Sequence, residues 1–480
     1  MKKKLLCWLM AAGMTLSLAA CSKNAPAENG AVNPGSADTE VTEQTASADL
    51  SEEKDDTQAD EQADAEDVAA GTDGAESENT AEETVVEEPV ITMENAKAGD
   101  VVDGIVKVDK LPPVKIPDND ALNFVRDVEI GWNLGNTFDA GDCDWLSNEM
   151  DYESAWCGTK TTKELISELK AAGFKAIRIP VSWHNHVDAD YNISEDWMNR
   201  VEEVVGWAYD EGMYIIINIH HDNDEKHEFP SYAKLDQSKK YVTAIWRQVA
   251  DRFADYDEHL IFETMNEPRM VNTDVEWWVD DTSDIGKETL DCINQLNQVI
   301  VDTIRDNGKG YNKTRYIMAP GYAASPNFAL SDAYVLPDDS KADAENRIIV
   351  SVHAYTPYNF ALNQDKSQGA SDKFSVTSSK NKEEIDWFMS SLYNKFILKG
   401  TPVIIGEFGA LDKDNTEARM QFTAYYISTA RHYGMSAFVW DNNALNSSGE
   451  NFRLIDRATL NWAFPEIVDQ MMYYCRDDAE

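Results

Sequence analysis

Two short apolar runs carry carboxylates at one end. Leu260-Ile261-Phe262-Glu263-Thr264-Met265-Asn266-Glu267-Pro268 holds two acids, and Val403-Ile404-Ile405-Gly406-Glu407-Phe408-Gly409 holds one. Glu263 lies inside its run and reads as structural, which leaves Glu267 and Glu407 as the candidate pair. Facing each other, two carboxyls can break a glycosidic bond: one protonates the leaving oxygen, and the other stabilises or attacks the developing oxocarbenium ion. A separation of about 5–5.5 Å would mean retention through a covalent intermediate, and about 6.5–9.5 Å would mean inversion. Whichever acid attacks must be ionised and needs a cation or donor beside it, and for Glu407 the candidates are Arg178 and Tyr355. The other must carry a proton, which nearby negative charge on its partner favours.

Other residue types add to this chemistry. The amide of Asn266 can bind a sugar 2-hydroxyl, and His220, His221 and His353 can donate to hydroxyls or orient the acids. Trp440 offers a flat face to the apolar side of a glucose ring. Asn133 reads as structural, whereas Asn136 and Asp139 could touch a bound sugar. His184 and His186 suit a substrate contact or loop packing equally, and Trp145, Trp277 and Trp278 suit surface or core packing better than a role as cleft platforms. His220-His221-Asp222, with Asp224 and His227, has metal-ligand composition. Adjacent histidines on a strand point to opposite faces, however, so no metal site is expected there.

The elements that must position these groups follow a regular alternation from about Ala121. Strands are predicted over Val128–Asn133, Ala176–Val181, Tyr214–Ile219, Leu260–Thr264, Arg315–Ala319, Arg347–Val352, Pro402–Gly406 and Ala437–Trp440. Helical patterns separate them, among them Thr162–Ala172, Glu195–Glu211, Lys240–Ala254, Glu288–Asn307, Lys382–Leu398, Thr416–Tyr433 and Phe464–Tyr474. Eight strands alternating with helices suit an α/β fold of the (β/α)8 TIM-barrel type, with an open doubly wound sheet as the competitor. In such a barrel the functional groups lie at the C-terminal strand ends. Those ends read Asn133 and Asn136, Arg178, His220-His221, Asn266-Glu267, Tyr322, His353 and Tyr355, Glu407, and Trp440. The fourth and seventh strands lie on different sides of the ring, so Glu267 and Glu407 can face each other across its mouth.

These motifs resemble glycoside hydrolase family 5, the cellulase family, and most of all its subfamily 4. The matching segments are Gly131-Trp132-Asn133-Leu134-Gly135-Asn136-Thr137, Arg178-Ile179-Pro180-Val181-Ser182-Trp183, Asn218-Ile219-His220-His221, Phe262 to Pro268, His353-Ala354-Tyr355, Ile405 to Gly409, and Trp440-Asp441-Asn442. They run in order from about Val128 to Val468. The resemblance implies retention, with the acid/base following an Asn on strand four and the nucleophile on strand seven. It loosens between Asp139 and Thr161, where a longer acidic segment follows the first strand and Cys143 and Cys157 bracket a loop they could close as a disulfide.

Ahead of the barrel, Met1-Lys2-Lys3-Lys4 and the apolar stretch Leu5–Ala20 form a signal segment ending in Leu18-Ala19-Ala20-Cys21. That ending resembles a bacterial lipoprotein signal, with cleavage before Cys21 and lipid on its sulfur. The expected location is the extracellular face of a bacterial membrane. From Ser22 to Asn123 there is no aromatic residue, and Glu28–Pro89 has Lys54 as its only basic residue. Such composition cannot offset its conformational entropy and reads as a disordered acidic linker. The expected division is therefore 1–20 signal peptide, 21–120 lipidated Cys, linker and a transitional stretch that could dock as a strand, and 121–480 catalytic domain.

A net charge of −45 argues against nucleic acid and leaves neutral sugars unpenalised. The expectation is a monomeric endo-β-1,4-glucanase acting without cofactor on a cellulose-type polysaccharide. Xyloglucan, mixed-linkage glucan, xylan and mannan are rival substrates. A transglycosylase would share the residues, and a non-catalytic carbohydrate-binding lipoprotein would need neither acid.

Overall fold

The computed structural model describes residues 90–109 and 114–476. The expected signal segment, Cys21 and the acidic stretch up to Pro89 lie outside the described residues. Eight parallel strands close into one barrel: β1 (Ile130–Leu134), β2 (Ala176–Ile179), β3 (Tyr214–Asn218), β4 (Leu260–Glu263), β5 (Ile317–Pro320), β6 (Ile348–His353), β7 (Val403–Phe408) and β8 (Ser436–Asp441). β8 pairs with β1 from Ala437↔Ile130 to Asp441↔Leu134 and shuts the ring. All eight lie where strands were expected.

Both faces of these strands are covered, which is why they read as near-continuous β-branched runs. Ala176, Ile216, Ile261, Ile349, Ile404 and Phe438 fill the interior, while Ile177, Ile215, Ile217, Leu260 and Phe262 face the outer helices. A helix that the alternation did not reveal, α1 (Asp120–Val128), precedes β1. Its N-cap Asn119 accepts from the Leu122 amide, and Ala121, Phe124, Val125 and Val128 pack on the inward residues of the strands. Phe124 stacks on Tyr316 with ring centroids 3.9 Å apart. This helix plugs the N-terminal end of the barrel. Nine residues of amphipathic pattern running straight into a strand left its period unresolved, and Val128 was assigned to the strand.

The outer helices are α2 (Lys163–Ala172), α3 (Glu195–Asp210), α4 (Leu235–Arg252), α5 (Asp284–Asn307), α6 (Ser379–Lys395), α7 (Thr416–His432) and α8 (Pro465–Tyr474). α4 begins five residues before the expected Lys240. The transitional stretch ahead of residue 121 contributes structure of its own. A hairpin of Val101–Val102 and Ile105–Val106 docks on α8, where the Gln470 amide exchanges hydrogen bonds with the Val106 amide (2.9 Å) and the Gly104 carbonyl (2.8 Å). The docking strand expected in this stretch is thus a two-stranded hairpin.

At the opposite end of the barrel, buried Arg457 staples the β1–β8 seam. Its guanidinium donates to the Gly135 carbonyl (2.9 Å), Thr137 Oγ1 (2.9 Å), the Asp441 carbonyl (2.6 Å) and Asp441 Oδ1 (3.0 Å). Among the described residues, no helix is long and apolar enough to cross a membrane.

Candidate active site

Strict alternation along β7 would point Ile404 inward, Ile405 outward, Gly406 inward and Glu407 outward. The register breaks that pattern. Val352 pairs with Ile405 but His353 pairs with Glu407, and across the other edge Ala437 pairs with Ile405 but Val439 with Phe408. One extra residue on β7 makes a bulge, a device that re-aims a side chain. It turns Glu407 into the barrel mouth and leaves Phe408 outside, stacked on Tyr426 at 4.6 Å. Gly406 suits the bulge because a Cβ there would sit 3.0 Å from His353 Nε2.

Directly beneath lies a polar layer organised by Arg178, which is fully buried. Its Nε donates to Glu263 Oε2 (2.8 Å), Nη1 to Asn133 Oδ1 (3.0 Å) and Glu407 Oε1 (2.8 Å), and Nη2 to Asn266 Oδ1 (2.7 Å). Glu263 also accepts from Asn218 Nδ2 (2.9 Å) and Ser351 Oγ (2.6 Å). Burial alone would raise Glu263, but the Arg178 charge, with His353 and Ser351, holds it at about 2. Glu263 is therefore a permanent counter-charge to Arg178. Glu407 receives a second donor, Tyr355 Oη, at 2.8 Å. Both candidates for holding that carboxylate do so.

Glu267 stands past the end of β4, partly exposed to the cleft. His353 Nδ1 lies 2.9 Å from its Oε1 and 3.6 Å from Glu407 Oε1. Carboxylate oxygens of Glu267 and Glu407 fall within 4.8 Å of each other, on the short side of the range that separates retaining from inverting geometry. The proton is placed differently from the expectation. Burial pushes Glu267 up, but the hydrogen bond and charge of His353, with Arg269 and His221, bring it below the usual range. Burial likewise pulls His353 down, yet the Glu407 charge and the bonds to Glu263 and Glu267 raise it to about 9. These opposite shifts favour the shared proton on His353, one hydrogen bond away from Glu267.

The remaining expected residues gather around this pair. Asn266 spends its Oδ1 on Arg178, and its Nδ2 has no partner among the described residues. Asn218 Oδ1 accepts from the Val181 amide (3.1 Å), so Nδ2 faces His220 Nδ1 at 3.1 Å. His220 Nδ1 is then an acceptor, the proton sits on Nε2, and burial keeps the ring neutral. Its ring lies parallel to Trp440, with centroids 6.0 Å apart. Burial also lowers His221 to about 4. Asn136 takes φ 58° in a turn whose amides are capped by Asp139, and its own side chain has no partner among the described residues.

Asp139, His220 and His221 lie close enough to suggest a cation site, as do Glu267, His353 and Glu407. Their chemistry does not suit one. Asp139 already caps the Asn136 and Thr137 amides (2.9 and 2.6 Å), and His220 carries its proton on Nε2. In the second group, the protonated His353 has no lone pair to offer at Nδ1.

Several sequence expectations are corrected. Cys143 and Cys157 are separate buried thiols with no bridge between them. Cys143 Sγ donates to the Gly141 carbonyl (3.3 Å) and Cys157 Sγ to the Thr159 carbonyl (3.1 Å), so each sulfur is satisfied locally. Acid–base pairs hold that loop instead: Asp142 with His184 (3.3 Å), Glu149 with His186 (3.0 Å) and Glu153 with Arg200 (2.8 Å). His184 and His186 are therefore packing residues, and His186 stacks on Trp197 at 3.6 Å. Asp139 is fully buried and cannot touch a sugar. Tyr322 is buried as well, and its Oη donates to the Val275 carbonyl (2.7 Å) to brace the loop after β4.

Two contributors were missed. Arg269 donates to the Glu267 carbonyl (3.0 Å) and lies 4.1 Å over the Trp277 ring. Its place two residues after Glu267 was a usable signal. Asn218 was quoted within a motif, yet its link between Glu263 and His220 needs the barrel to be visible.

The cellulase family, glycosyl hydrolase family 5, matches residues 138–446. The cellulase/esterase CelE of Acetivibrio thermocellus is 42% identical over 364 residues, which is 74% of this chain and 40% of that protein's length. Endoglucanase B of Neocallimastix patriciarum is 42% identical over 354 residues, 73% of this chain and 70% of its own length. A lichenase structure from Caldicellulosiruptor sp. F32 superposes with a TM-score of 0.75 at 51% identity, covering 77% of this chain and all of that one. A broad-specificity endoglucanase from Ruminococcus champanellensis with bound cellotriose gives a TM-score of 0.67 at 41% identity, covering 75% and 100%.

Proposed function

The chain belongs to glycosyl hydrolase family 5, the cellulase family, and from that premise we propose that it is a retaining endo-β-1,4-glucanase with Glu407 as nucleophile and Glu267 as acid/base. The observation that carries this reading is the pair of carboxylates within 4.8 Å of each other at the barrel mouth. Arg178 and Tyr355 keep a lone pair of Glu407 available and hold its oxygens for attack on the anomeric carbon. As a bond forms there, the Glu407 charge is spent, and with it the main support of the His353 proton. His353 then yields that proton to Glu267, which passes it to the leaving oxygen. In the second step Glu267 takes a proton from water, the hydroxide displaces the sugar from Glu407, and the proton returns from Glu267 to His353 as the Glu407 charge is restored. Asn266 Nδ2 and the Nε2–H of His220 supply donors for hydroxyls of the glucosyl unit between the acids.

Mixed-linkage β-glucan is the second substrate supported, by the 51% identity to a lichenase. Product profiling on carboxymethylcellulose, mixed-linkage glucan and xyloglucan tests the reading. Rapid loss of viscosity with release of short oligosaccharides is expected on at least the first two. Failure to cut any β-1,4-linked glucan would sink it.

Attachment to the extracellular face of a membrane through lipid on Cys21 belongs to the same proposal, supported by Leu18-Ala19-Ala20-Cys21 after a basic n-region. Radiolabelled palmitate should enter the wild-type protein and not Cys21→Ser; equal labelling of both would remove it.

A further inference from the structure

A third carboxyl lies within reach of the Glu407 and Glu267 charges and takes no part in the chemistry above. Glu450 lies on the loop that follows β8, and that loop is anchored at both ends. Asn442 Nδ2 donates to the Glu450 carbonyl (2.9 Å), Asn442 Oδ1 accepts from the Phe452 amide (3.2 Å), and Asp441 Oδ2 accepts from the Leu454 amide (2.7 Å). Phe452 packs against Trp440 and lies 5.7 Å from the Tyr355 ring. Tyr355 in turn holds Glu407. The loop therefore seats Glu450 beside the nucleophile's own support.

Its carboxyl is partly buried and has no hydrogen-bond or ion-pair partner among the described residues. A half-buried acid without a partner gives up hydration and receives nothing in return, unless a ligand supplies the bond. Burial first, and then the charges of Glu407 and Glu267, push it up to about 7. Glu450 reciprocally raises Tyr355 and Tyr358. The titratable groups within electrostatic reach of it are thus Glu407 from β7, Glu267 from the end of β4, and the two tyrosines after β6, and Arg178 and His353 hold the two carboxylates.

Resting on the glucanase reading, we propose that Glu450 is a specificity-determining residue that hydrogen-bonds a hydroxyl of a neutral glucosyl unit next to the scissile bond. In its neutral form it both donates to and accepts from that hydroxyl, and in its ionised form it only accepts. Three carboxyls around one sugar also select against a uronate in that position, because like charges in a half-buried cleft repel.

The test compares wild type, Glu450→Gln and Glu450→Ala on cellotetraose from pH 5 to 9. Because Asn442 holds the backbone carbonyl of residue 450, neither substitution removes the loop's tether. Glu450→Ala should raise KM about tenfold with kcat within threefold, the loss expected for one hydrogen bond to a polar ligand group. Glu450→Gln should recover most of that KM and lose the inflection near pH 7 that wild type shows in kcat/KM. Unchanged KM and pH profile in both variants, with wild type active, would overturn this inference alone. An inactive wild type would overturn the glucanase reading and this inference with it.

Discussion

The ends of β4 and β7 present the same side chain in opposite settings. Glu407 is gripped by Arg178 Nη1 and Tyr355 Oη, both at 2.8 Å, and neither donor loses its proton in the ordinary pH range. Glu267 leans on His353 at 2.9 Å, a group that can give its proton away. Fixed donors suit a carboxylate that must stay charged until it attacks. A titratable partner suits one that must take up and release a proton once per turnover. Function is thus written in the partners of the two acids, not in the acids.

Glu407→Gln strikes that contrast hardest: kcat on a soluble glucan should fall on the order of 10⁴-fold or more, as for loss of a nucleophile elsewhere. Glu267→Gln should cost about 10²–10⁴-fold on the same glucan. On an aryl cellobioside with a good leaving group the first step needs no proton, so the burst of released phenol should survive in Glu267→Gln and vanish in Glu407→Gln. Equal losses on both substrates would erase the distinction.

Arg178→Lys keeps a cation but loses the fork that binds four side chains at once. Each buried group left unpaired costs about 1–3 kcal/mol, so the urea midpoint should drop together with kcat. His353→Gln sharpens the contrast through pH. In wild type the shared proton is lost as pH rises through about 9, so kcat/KM should fall on that limb. Without the imidazolium, the proton must reside on Glu267 itself, and the falling limb moves to lower pH. The linkage to stability runs the same way. His353 is raised on folding, so its contribution is full below pH 6.5 and disappears as pH climbs through about 9. The smallest effect concerns the loop after β1: with Cys143 and Cys157 free, added reductant should leave the melting temperature unchanged.

Much of this arrangement was legible because a parallel barrel buries both faces of each strand and writes each one as a β-branched run. The run Leu260–Glu263 followed by Asn266-Glu267, and the run Val403–Ile405 followed by Glu407, located the pair. What alternation could not show is the bulge at Gly406–Glu407, since strict period two aims Glu407 at the outer helices. The proton on His353 was equally hidden, because it depends on two acids from β4 and its end and one from β7 converging on one imidazole. Cys143 and Cys157 bracket a loop, and nearness in sequence suggested a bond that the backbone carbonyls at Gly141 and Thr159 make unnecessary. Glu450 gave no signal at all, being one acid in a run of Asn, Ser and Gly.

Trapping of the glycosyl-enzyme tests the central claim most directly. A 2-deoxy-2-fluoro-β-cellobioside with a good leaving group slows the second step, and digestion with mass spectrometry then locates the label. The account predicts one cellobiosyl adduct on the peptide containing Glu407, released with β configuration. An adduct on another residue, or no adduct together with an α-configured first product, would contradict it.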